Sequence, residues 1–255
     1  MTTIDRELMR ISRAEEKLRS NAFKDDSKWK ALLESKVPEK VLVNLQTVFK
    51  KAFEIIFDKG TGLIEKTYKK EELEKGFLVR DYALDLEMRQ KDLFMLNASA
   101  EMSGLVSLAA SAVEGIGLGA LGIGLPDIVL FISVVLRGCY ETALRYGFSY
   151  ESPEEKYFIL TVLEGSLLKK EAWDTCSSLV DEMMVSLSTP SEEELQSQIR
   201  HTSDAFAFDM LLTKFIQGIP LVGIVGGLSN PLYYRKILSY VKLKYKKRYI
   251  LSKKN

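Results

Sequence analysis

The feature that most constrains this chain is the helical spacing of its apolar residues along nearly its whole length. After Pro38, the residues Val41, Leu42, Leu45, Val48, Phe49, Ala52, Ile55 and Ile56 recur at i, i+3, i+4 and i+7, the signature of one buried helix face. Asp58-Lys-Gly60-Thr-Gly62 is expected to stop that helix, because glycine supplies the left-handed conformation a helix end needs. A second pattern starts after Glu71 and runs through Leu78, Tyr82, Leu86, Leu93 and Leu96. Ser152-Pro153-Glu154-Glu155 reads as a capping box with Pro at the first helical position, Thr189-Pro190-Ser191-Glu192 repeats the device, and Asn230-Pro231 opens a third helix. Val129–Leu136 is strand-like by propensity, but Pro126-Asp127 starts a helix and the pattern continues through Tyr140, Leu144 and Tyr146. No period-2 strand and no hairpin dipeptide is found. The prediction is all-α.

A chain of 255 residues with 46% hydrophobic content is long enough for one sizeable core and too apolar for disorder. The softest joints, 20–28, 58–62 and 188–191, are short, and no repeat or low-complexity linker appears. The expectation is a single multi-helix domain, with an N-terminal helical segment at 1–36 and the main helical domain at 37–255. One histidine and two cysteines exclude zinc fingers and disulfide scaffolds. The charged start around Asp5, Arg6, Glu7 and Arg10 is unlike a secretory signal, so a cytoplasmic protein is expected.

Two stretches lack charge. Residues 102–136 contain only Glu114 and Asp127, and 215–234 contain none. The first places Ser99, Ser103, Ser107, Ser111, Gly115 and Gly119 at four-residue intervals, a smooth strip that another backbone can approach closely. The second repeats the idea with Gly223 and Gly227. These are read as two Gly-rich, apolar, central helical hairpin segments packed on each other, with 102–148 and 210–230 at the centre of the fold. The alternative is reversible insertion into a membrane. Neither is a persuasive spanning helix, which needs about 20 apolar residues in a row: Glu114 interrupts one, and Pro220, Asn230 and Pro231 interrupt the other. Gly117-x-Gly119-x-x-Gly122 matches the dinucleotide-binding glycine pattern, but helical sequence precedes it where a strand is required.

The same regions carry a resemblance. Gly122-Ile-Gly-Leu-Pro126-Asp127, then Leu136-Arg137, then Ala143-x-x-Tyr146-Gly147-Phe148 with Pro153-Glu-Glu155 following, resembles the EcsC family. So does Ile219-Pro220-Leu-Val-Gly223-x-x-Gly226-Gly227-x-x-Asn230 followed by a basic, tyrosine-rich helix, and the similarity spans roughly residues 40–250 in order. The resemblance implies a helical, membrane-linked accessory protein and brings no catalytic site or cofactor with it. The motif residues also have structural readings. Pro126 and Asp127 suit a helix first turn, Tyr146-Gly147 a helix stop, and Asn230 a cap before Pro231, with Arg137, Pro220, Gly223 and Gly227 completing the set.

His201 is the only imidazole and lies in the polar helical stretch Gln198–Asp204, where it reads as a bystander. Carboxylate pairs such as Glu154/Glu155 and Asp181/Glu182 read as helix starts or solvated faces, and Glu114 as an acid desolvated in a buried helix. No enzyme, metal or cofactor is expected.

The strongest asymmetry is in charge. Residues 235–255 hold nine basic groups and no acid, so the preceding chain, with the other 27 basic and 35 acidic groups, has a net charge of −8. A helix from Pro231 would align Tyr234, Ile237, Leu238, Val241 and Tyr245 as an apolar stripe flanked by lysines. Tyrosine and lysine beside apolar surface suit a membrane interface. The candidates for contact with an anionic membrane or a membrane-protein partner are Lys236, Tyr240, Lys242, Lys244, Tyr245, Lys246, Lys247 and Arg248. Lys242, Lys244, Lys246 and Lys247 are expected to be replaceable with little effect on folding. Nucleic acid is not expected, since the acidic body would repel it. The rival reading is a soluble protein-interaction module, with an unrecognised enzyme acting on a lipid-like substrate behind it.

Overall fold

Thr2 opens the first helix with a reciprocal cap: its hydroxyl accepts from the Asp5 amide at 3.1 Å, and the Asp5 carboxylate accepts from the Thr2 amide at 2.9 Å. The computed structural model describes residues 2–24, 27–86, 125–216 and 231–254. The elements are α1 (Thr3–Ala22), α2 (Ser27–Lys36), α3 (Glu39–Ile55), a π-helical turn (Ile56–Gly60), α4 (Thr61–Glu65), α5 (Lys70–Leu86), α6 (Leu125–Arg145), α7 (Pro153–Gly165), α8 (Lys170–Val185), α9 (Glu192–Ile216) and α10 (Pro231–Ser252). Among the described residues there is no strand, and no helix is long and apolar enough to cross a membrane.

Glycine does not stop the α3 helix at 58–62. Gly60 keeps a right-handed φ of −91°, and the helix widens through Ile56–Gly60 before resuming as α4. A π turn inserts one residue into the ladder. Here the Ile56 carbonyl also takes a hydrogen bond from the Thr61 hydroxyl at 3.3 Å. The left-handed glycine is instead Gly147, with φ 81°, just beyond α6. The Phe148 amide donates to the Ala143 carbonyl at 2.9 Å and the Gly147 amide to Leu144 at 3.1 Å, the paired bonds of a Schellman stop. Tyr146 is buried beneath it.

The core is aromatic where helices cross. Phe206 of α9 stacks on Phe49 of α3, with ring centroids 5.4 Å apart, and meets the edge of Phe131 from α6 at 6.0 Å. α6 lies against α3, α5 and α10, and α7 against α8, α9 and α10. α10 runs beside α6 in the same direction: Leu238 and Tyr234 cover Gly138, and Tyr249 meets Tyr146 further on. The segment before residue 37 joins this core, with α1 on α8 and α10, α2 on α9, and Ile11, Ala22 and Leu33 buried. Of the two uncharged stretches, 125–136 falls in α6 and 231–234 opens α10. The smooth strip from Ser99 to Gly119, the Gly117–Gly122 pattern, Glu114, Pro220, Gly223, Gly227 and Asn230 lie outside the described residues, and so does most of the expected mutual packing of 102–148 with 210–230.

Two glycines separate conformation from space. Gly147→Val adds a left-handed penalty of about 1–2 kcal/mol to overpacking of about 1–3 kcal/mol, since a β-carbon there would sit 2.3 Å from the Phe77 ring. Gly62→Ala faces open space in a helix and should stabilise by up to about 1 kcal/mol. Denaturant unfolding of the two variants should move in opposite directions.

Candidate functional site

Lysine is rarely buried unpaired, so a basic helix at the centre of a fold must find carboxylates. α10 does. Lys244 is wholly buried, and its Nζ donates to Glu15 at 2.8 Å, Asp181 at 2.9 Å and the Ser177 hydroxyl at 2.9 Å. Lys247 bridges the same two acids at 2.9 and 2.7 Å. Lys246 meets Glu7 at 3.0 Å, Lys236 meets Asp209 at 3.0 Å, and Lys253 meets Asp81 at 2.8 Å. Arg248 forks onto Glu155 at 2.8 and 2.9 Å while lying over the rings of Phe148 and Phe158. Tyr245 donates to the same Glu155 at 2.6 Å, and Tyr240 is buried against Trp173.

The tail expected to present these side chains to a membrane instead turns most of them inward. The stripe of Tyr234, Ile237, Leu238, Val241 and Tyr245 is buried, and the cations flanking it point into the acidic body. Replacing Lys244 removes a wholly buried ammonium, and replacing Lys246 strips the buried Glu7 of a partner, so these changes, with the loss of the Lys247 bridge to Glu15 and Asp181, act on folding directly. Glu155 and Asp181, read from sequence as helix-start or solvated acids, are structural acceptors. The Ser152 hydroxyl caps the Glu155 amide at 3.2 Å, but the Glu155 side chain turns to Tyr245 and Arg248 instead of closing the box. At α9 the reciprocal cap pairs Ser191 with Glu194, and Thr189 instead donates to Glu154.

Among the candidate cations of α10, Lys242 is the exception. It is half-buried and turns to the α6 groove, where Arg137, Glu141 and Arg145 occupy one helix face at four-residue spacing. Glu141, itself buried, accepts from Arg137 Nε at 2.7 Å and lies 3.8 Å from Arg145. Arg137 also stacks over the Tyr68 ring. Tyr68 donates to the Tyr150 hydroxyl at 2.7 Å, which donates to Glu65 at 2.7 Å, with Tyr140 stacked on Tyr150. Pro126 and Asp127 stand in the first turn of α6. Sequence reasoning singled out Arg137 and Lys242 and missed Arg80, Glu141 and Arg145; the Arg-x-x-x-Glu-x-x-x-Arg spacing was the available signal.

A separate open cleft of about 780 Å³ lies between α2, α8 and α9 and includes His201, Asp204, Glu164 and Lys170. His201 is exposed, and burial raises the Asp204 carboxyl. None of the described residues lining the cleft is a serine, threonine or cysteine. Cys176 is buried and hydrogen-bonded to the Thr161 carbonyl, its thiol pushed up to about 12 mainly by burial, and Cys139 is raised by burial alone. Among the described residues no group of three His, Cys, Asp or Glu side chains is placed to hold a metal.

Removing Glu155 tests the inward reading of the tail. Glu155→Leu strands a guanidinium and a phenol and should cost about 3–5 kcal/mol in unfolding free energy. Acid should weaken the α1–α10 seam as well. Burial raises the Glu7 carboxyl, but Lys246 and Arg10 outweigh it and hold the group below its ordinary value of 4.5. Its contribution is complete above about that pH and is lost as the pH falls through the lower folded-state value. Lys246→Met should flatten the fall of stability measured across roughly pH 3–6.

A sequence model of the EcsC protein family matches residues 3–250 of the 255, from the first turn of α1 to the last turns of α10. No curated protein and no solved structure matches it. With nearly the whole chain covered, this protein belongs to the EcsC protein family.

Proposed function

We propose that this EcsC-family protein is a non-enzymatic helical accessory module that associates peripherally with an anionic membrane surface. The observation that carries the reading is the outer face of α5. Phe77 and Leu73 turn into the core, while Leu78, Val79 and Tyr82 stand 64%, 70% and 68% exposed within little more than one turn. Single exposed apolar residues are ordinary. Three together, one of them a tyrosine, beside the half-buried Arg80, suit the boundary of a lipid leaflet, where apolar bodies enter and polar tips stay wet. The start of the same helix is locally balanced, with Lys69 on Glu72 and Lys75 on Glu71.

Most of the tail's charge is neutralised inside the fold, so this reading rests on the apolar ridge more than on long-range attraction. Sedimentation with phosphatidylserine-containing and pure phosphatidylcholine vesicles tests it. Leu78→Ser, Val79→Ser and Tyr82→Ser combined should weaken binding by about tenfold or more, because each apolar side chain entering the leaflet contributes on the order of 1 kcal/mol. The unfolding midpoint should stay unchanged, since these side chains already face water. Raising salt should weaken binding only modestly. If the wild-type protein binds neither vesicle, the ridge belongs to a protein partner and the module is a soluble interaction protein.

A further inference from the structure

The α6 groove holds more positive charge than its acids balance. Arg137 and Arg145 of α6 share Glu141, and Arg145 is near enough to Arg80 of α5 and Lys242 of α10 to act on both, so that among the described residues four cations gather around one acid. Glu141 is already divided between Arg137 at 2.7 Å and Arg145 at 3.8 Å. Neighbouring acids are engaged elsewhere: Asp81 by Tyr249 and Lys253, and Glu7 by Lys246 and Arg10. Among the described residues, Arg80 Nε, Arg137 Nη1 and the Tyr234 hydroxyl are shut off from solvent without a hydrogen-bond partner. Burial, followed by the nearby Arg145, lowers the affinity of both Arg80 and Lys242 for their protons, with Glu141 opposing this at Lys242. Crowded, desolvated cations of this kind are an electrostatic liability unless an anion joins them.

We propose that Arg80, Arg145 and Lys242, with Arg137 further along the groove, form a binding site for a phosphate group. Guanidinium groups bind phosphate in a two-pronged geometry, and a phosphate ester supplies one to two of the negative charges the groove lacks. Arg80 lies between Val79 and Tyr82 on α5, so a phosphate carrying acyl chains would place its headgroup in the groove and its apolar part along the ridge. The inference rests on the membrane reading for that source only, since a soluble phosphate ester presents the same chemistry.

The test is calorimetric titration and thermal unfolding of the full chain with inorganic phosphate, dihexanoyl phosphatidic acid, dihexanoyl phosphatidylcholine and sodium chloride at matched ionic strength. Phosphate and phosphatidic acid should raise the unfolding midpoint where chloride and phosphatidylcholine do not. Arg145→Gln and Lys242→Gln should each weaken phosphate binding by about tenfold or more, while leaving the unliganded midpoint unchanged or higher because repulsion is relieved. Lys242→Gln carries the test if Arg145→Gln fails to fold. Equal effects of chloride and phosphate, or variants that bind like the wild type, overturn the site. Vesicle binding with no phosphate response overturns the site and leaves the membrane reading standing. Phosphate binding without vesicle binding upholds the site for a soluble ester and removes the membrane reading.

Discussion

Lys244 organises the molecule around itself. A lysine with no solvent exposure must have its ammonium answered on every side, and Glu15 of α1, Asp181 and Ser177 of α8 supply three acceptors at 2.8–2.9 Å. Those contacts fix the rotation of α10 about its axis. Lys247 then falls on the same two acids, Lys246 on Glu7, and Arg248 on Glu155 one helix face away. Buried ion pairs add little net stability over an apolar replacement of the same shape. Their effect here is specificity, because a slide of one residue along the helix would strand several charges at once.

The same geometry explains why positive charge accumulates in one groove. With its other faces directed to α1, α7 and α8, α10 presents Lys242 to α6, where Glu141 is held by two arginines. Arg80 is brought there by α5, since Phe77 of that helix is seated over Gly147 and against Tyr249. The groove's excess charge thus follows from the packing of three helices whose other contacts are satisfied.

How far the sequence spoke depended on the range of the interaction. Helical period identified α3, α6 and the all-α class because it is local, and Tyr146-Gly147 announced its own stop. The π turn at Ile56–Gly60 was misread, since glycine permits a left-handed end without requiring one; whether the helix continues depends on what packs beyond it. Thr189 and Ser191 both suit a cap, and sequence alone does not say which serves. Nine cations without an acid in the last 21 residues suggest an outward, membrane-facing tail, and the carboxylate partners that turn it inward lie as far as 232 residues away. Glu155 shows the same limit. Its spacing from Ser152 suggested a capping box, while Tyr245 and Arg248, 90 and 93 residues downstream, decide where its side chain goes.

The pairing of Glu15 with Lys244 also sets a clock. The two residues are 229 apart in sequence, so at about 5–20 residues per second a ribosome needs roughly 10–50 s between them. Throughout that interval α1 waits with Glu7 and Glu15 unanswered; in its last third α7 and α8 join it with Glu155 and Asp181, and the nascent chain is then a strongly acidic, partly open bundle around an empty slot. The final helix enters as a preformed counter-ion. Folding of the whole is gated by its arrival, and a nascent-chain binder that recognises acidic, incompletely packed helices would find its target only before that moment.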